Sequence, residues 1–122
     1  MIEHPHKITE WQLAVRALMQ SDTRPTAVIC GTDMLAFGAL IEARQLGFAV
    51  PRDLSIAGIN DAEFAAHITP SLTTMHLPAD EIGIGAAEYL LARVGSLPTP
   101  SPIQVRAILI VRASTASPGE GL

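Results

Sequence analysis

The sequence predicts an α/β domain built on a parallel sheet. Short, almost wholly apolar runs stand at residues 26–30 (TAVIC) and 54–59 (LSIAGI). Such runs read as strands covered on both faces, the mark of a parallel sheet. Longer stretches around them carry apolar residues at helical spacing. Strands and helices alternate, as βαβ layers require.

Each element follows in order. Residues 8–20 (ITEWQLAVRALMQ) set Trp11, Val15, Leu18 and Met19 on one helical stripe, with Thr9 placed to cap it. SDTRP is turn chemistry, and residues 26–30 form the first strand. Asp33 stands where its carboxylate can cap the helix MLAFGALIEARQL, which Gly47 ends in a left-handed conformation and Pro51 keeps from restarting. Residues 54–59 form the second strand, AEFAAHI is a short helical or irregular piece, and residues 71–75 (SLTTM) form a third strand. Pro78 opens a helix over residues 79–94, with Asp80 and Glu81 in its first turn and Arg93 in its last, matching the helix dipole. Gly95 closes it, a proline-rich loop follows, residues 103–111 (IQVRAILIV) form a final strand, and ASTASPGEGL reads as a frayed tail.

Composition narrows the function. At 122 residues the chain makes one domain at most, and 48% hydrophobic against 16% charged residues means a packed core rather than disorder. The net charge of -4 and the scattered arginines argue against broad contact with nucleic-acid phosphates. A lone cysteine, Cys30, excludes an internal disulfide and suits a reducing cytoplasm. MIEHPHKITEW has no apolar signal core, and no apolar run is long enough to cross a bilayer, so no membrane contact is expected.

In a parallel sheet the strand carboxyl ends form the ligand crevice. Two strand runs end in hydrogen-bonding pairs, Thr32-Asp33 and Asn60-Asp61, which belong side by side on that rim. The local alternative is turn chemistry. Asp33 is read first as a helix cap, while Asn60-Asp61 stands open between an Asx turn and a ligand contact.

The run PTAVICGTDMLAFGALIEARQLGFAVPRDLSIAGIND resembles the carboxyl-terminal subdomain of LacI/GalR-type bacterial transcription regulators. TPSLTTMHLP, IGIGAAEYLLARV and ILIVRASTA agree in the same order, so the resemblance spans about residues 10–116. It implies a three-layer α/β parallel sheet, the type I periplasmic binding protein-like half-domain, here incomplete. Residues 8–77 and 98–116 correspond to the carboxyl-terminal subdomain, residues 78–97 to the crossover helix of the other subdomain, and residues 117–122 to a tail. It also implies a small-molecule effector in an interdomain cleft, and DNA binding only through an amino-terminal helix-turn-helix that these residues do not contain. By position, the effector-binding set is Thr32, Asp33, Asn60, Asp61 and Leu77. Thr32 stands where the family often has Asn, Asn60 where it usually has an acid, and Leu77 where Gln is common. These departures point to a less polar effector, a different one, or no retained binding. The helix at 79–94 lacks the surface it packs on in the family, and the strand at 26–30 lacks its inner neighbour. Both predict self-association, as a homodimer with or without exchanged elements.

Other candidates have plainer readings. His4 and His6 make a two-ligand motif on a terminal segment, which is no metal site, and no cofactor is expected. His67 reads as a surface residue, and His76 as one with a rim contact as the alternative. Cys30 has no base to activate it, Trp11 belongs to an apolar stripe, and Glu42 and Glu63 are helix-surface charges. Gly31 alone is not a phosphate loop. Three functions remain: a regulator's effector domain, part of a periplasmic sugar-binding protein, and a small α/β enzyme. The ending IVRAST favours the first, and the third lacks a visible acid, base or nucleophile.

Overall fold

The structure, a computed structural model, describes residues 8–118. His4 and His6 lie outside that range. The order is α1 (Ile8–Met19), β1 (Ala27–Ile29), α2 (Asp33–Gln45), β2 (Ser55–Ile59), a 3-10 turn (Glu63–Ala66), β3 (Thr73–His76), α3 (Ala79–Val94) and β4 (Ile108–Ile110). One sheet carries the strands in the order β1-β2-β3-β4. The first three run parallel, and β4 pairs antiparallel with β3. A helix packed back across the sheet delivers the next strand parallel. Instead α3 leaves the sheet, burying only Ala92, and β4 returns in the opposite sense.

The core lies between α1, α2 and one face of the sheet. Val15 and Met19 of α1 meet Ala36, Ala39, Leu40 and Ala43 of α2, with Leu54, Ile56 and Leu72 from the sheet side. Alanines on α2 let its backbone come close to β2, and this cluster is where most apolar area leaves water. The predicted stripe on α1 is confirmed by Val15 and Met19, and Trp11 packs at the edge of the cluster.

Several local expectations need correction. Thr9 lies inside α1, not at its cap. Glu42 is no surface charge: it is buried and holds Arg16 of α1 at 2.7 Å, because α1 lies over that face of α2. β1 is not covered on both faces, since Ala27 and Ile29 stand open on the side away from α2. β4 is shorter than residues 103–111. The segment after it, read as a frayed tail, is held as far as residue 116. Ser114 is fully buried, its Oγ donating to the Ile56 carbonyl at 2.6 Å and accepting from Thr73 N–H at 2.8 Å. Ile56 N–H donates to the Ser114 carbonyl at 2.9 Å. Ser55 Oγ exchanges two hydrogen bonds with the Ala116 backbone, both 3.1 Å. Residues 112–116 thus staple β2 to β3.

Candidate functional site

The carboxyl ends of β1, β2 and β3 share one rim because these strands are parallel. Thr32 follows β1, Asn60 and Asp61 follow β2, and Leu77 follows β3, so all four lie on that rim.

The cap expected of Asp33 is made by Thr32, and Asp33 is turned to an internal role. Thr32 has an extended backbone (φ -149) and its Oγ1 accepts from Leu35 N–H at 3.3 Å, so it is the cap of α2. Its hydroxyl hydrogen remains free to donate. Asp33 is buried in the first turn, and its carboxylate turns inward. Oδ2 accepts from Ala62 N–H at 2.7 Å and Oδ1 accepts from the Thr74 hydroxyl at 2.5 Å. Asp33 therefore ties α2 to the loop after β2 and does not reach the surface. Gly58 makes room for this. A Cβ there would lie 2.2 Å from Asp33 Oδ1 and 3.0 Å from its Cα.

The loop after β2 carries two non-glycine residues at positive φ, Asn60 at 113° and Asp61 at 53°. Such backbone costs of order 1–3 kcal/mol per residue and persists where its surroundings over-determine it. Here they do. Asn60 N–H donates to the Met75 carbonyl at 2.9 Å, and Asp61 N–H to Thr74 Oγ1 at 3.3 Å. Asp61 Oδ1 accepts from Arg112 Nη2 at 2.7 Å, and Oδ2 lies 3.2 Å from His76 Nδ1. The hydrogen-bonded Arg112 guanidinium holds the Asp61 carboxyl below the usual carboxylate range; His76 adds to the lowering and partial burial opposes it. With Asp33 and Asp61 engaged, the rim offers neutral groups: the exposed Asn60, the Thr32 hydroxyl and the half-buried Leu77.

The sequence missed Arg112, Thr74, Ser114 and Gly58. Arg112 lies 51 residues from Asp61, so no local spacing could link them. The ending VRAST was the one available signal, and it carried no geometry. His76 takes neither of its expected roles alone: it sits on the rim with Asp61 as partner. Burial pushes the Cys30 thiol up to about 12, so it carries no thiolate near neutral pH. Among the described residues no group of three or more His, Cys, Asp or Glu could hold a metal ion, and no helix is long and apolar enough to cross a membrane.

Residues 3–115 match the periplasmic binding protein-like domain. The chain belongs to that family. Its relatives there include transcriptional regulators, LacI family members among them. The transcriptional regulator MalR of Streptomyces coelicolor is 44% identical over 111 residues, covering 89% of this chain and 32% of MalR. A LacI family regulator from Bifidobacterium animalis subsp. lactis superposes with a TM-score of 0.87 at 27% identity, over 97% of this chain and 44% of that one. Another, from Lactobacillus casei with bound glucose, gives 0.72 at 28% identity, over 90% of this chain and 40% of that one. The chain thus spans about a third of the length of MalR.

Proposed function

We propose that this chain is the effector-sensing and dimerisation portion of a LacI-type transcriptional regulator that works in the cytoplasm. A small molecule, sugar-like or another metabolite, binds at the rim that carries Thr32, Asn60 and Leu77, with Asp33 and Asp61 as its supports. The observation that carries this reading is Asn60: an exposed amide held at φ 113° on the rim shared by three parallel strands. A neutral rim with one apolar member suits an uncharged ligand with hydroxyl or amide groups on one side. The glucose-bound Lactobacillus casei neighbour supports that class. Effector binding shifts the population of dimer geometries and so the DNA affinity of a helix-turn-helix elsewhere in the parent protein. Dimerisation rests on the exposed apolar side chains of α3 and the open edge of β1.

The test is a thermal-shift screen of this chain and its parent with neutral mono- and disaccharides and nucleobases, followed by Asn60→Gly. Glycine keeps the positive φ and deletes the amide. The expected result is a ligand shift in the wild type and roughly tenfold or greater weakening in the variant, with the ligand-free midpoint little changed. A shift that survives N60G would place the ligand elsewhere.

A further inference from the structure

We infer that Arg112 is the positioning residue of the rim: it fixes the Asn60-Asp61 loop from the segment that follows β4. The inference rests on the rim being the binding site, and it adds how that site is held in shape.

The geometry is that of a latch. The planar guanidinium reaches two elements at once, Nη1 donating to the Leu72 carbonyl at 2.8 Å and Nη2 to Asp61 Oδ1 at 2.7 Å. Its own backbone is fixed first. Arg112 N–H donates to Thr73 Oγ1 at 2.9 Å, and the Arg112 carbonyl accepts from that hydroxyl at 3.2 Å. Two residues on, Ser114 is locked between β2 and β3. Where the fork sits is therefore set by residues 112–114, and Asp61 follows it. Asp61 in turn carries Asn60, its neighbour in the same left-handed stretch. His76 stands on the other oxygen of Asp61 but is 45% exposed, while the Arg112 side chain is 18% exposed. Of the two partners, Arg112 is the one shielded from water and joined to a second element. A lysine at this position keeps the charge but not the two-way fork.

The deciding experiment is amide hydrogen exchange on the ligand-free 122-residue chain. It compares wild type, Arg112→Ala, Arg112→Lys and Asp61→Asn at Asn60, Asp61 and Ala62, with Ala39–Ala43 of α2 as the internal reference. R112A is expected to speed exchange in the loop by about tenfold or more while the α2 amides stay put. R112K should restore the loop only in part, and D61N, which keeps an acceptor for the fork, should fall between R112K and wild type. Unchanged exchange in the loop overturns the proposal. So does an increase of equal size throughout the chain, which would make Arg112 a general stabiliser. If R112A does not fold, R112K and D61N decide on the same criterion. No ligand enters the measurement. A failed ligand screen with an intact latch response therefore removes the binding reading alone, and the converse removes the latch alone.

Discussion

Gly58 has no room for a side chain beneath the rim. Any larger side chain would press on the Asp33 backbone and displace the carboxylate that holds Ala62. Gly58→Ala is expected to cost about 3 kcal/mol, read as a lower urea midpoint, because the obstruction includes main chain that cannot swing aside. The Asp61 carboxyl supplies a pH test. Its folded pKa is lowered, so its contribution is present above the ordinary carboxylate range of about 3.9 and is lost as pH falls through the folded value. Removing its chief partner should weaken that dependence, leaving the part that His76 supplies. Stability of R112A should thus fall less steeply than wild type on acidification below about pH 4, measured by urea titration across pH. Asp33 and Thr32 show how far single residues were legible. Both were found as rim residues from their place after an apolar run. Their division of labour was not, because Thr32 and Asp33 are equally good caps by type, and a carboxylate's inward partner on β3 lies 41 residues away.

At the scale of elements, local chemistry fixed boundaries well where the signal was local. α3 spans residues 79–94 as read from Pro78, the acidic first turn and Gly95, and Gly47 adopts a φ of +83° after α2. It failed where a distant segment decides. β4 keeps only three paired residues of the nine read as a strand, and the polar stretch after it, which reads as a tail, is pinned by β2 and β3. Ser114→Ala tests this. It strands Thr73 N–H in a buried place and removes the donor to Ile56, which should cost about 2 kcal/mol in urea unfolding. A cost near zero would mean the staple acts through its backbone alone.

For the whole molecule, two surfaces dominate. On α3, Leu90, Leu91 and Val94 are 62%, 70% and 85% exposed, and β1 ends the sheet with Ile29 76% exposed. Runs of apolar surface on a folded domain mark contact sites. Sedimentation of this chain over a wide concentration range is expected to show association, and Leu91→Glu with Val94→Glu to move it towards monomer. A monomer at every concentration would remove dimerisation from the proposed function. The fold class and the family were legible from the alternation of elements and from motif order. Which face of α3 would stand open followed only from the resemblance, since its spacing fits a buried helix equally well.

The staple at residues 112–116 also sets when this domain can form during synthesis. A ribosome that has made the chain as far as Val111 has made every helix and strand of the described residues. Yet Thr73 N–H and the amide and carbonyl of Ile56 still lack the Ser114 groups that will satisfy them. The growing chain carries its apolar strands in an unlocked sheet until residue 116 leaves the ribosome. Closure of the sheet is thus expected to wait on residues 114–116, far along the chain from the strands they join.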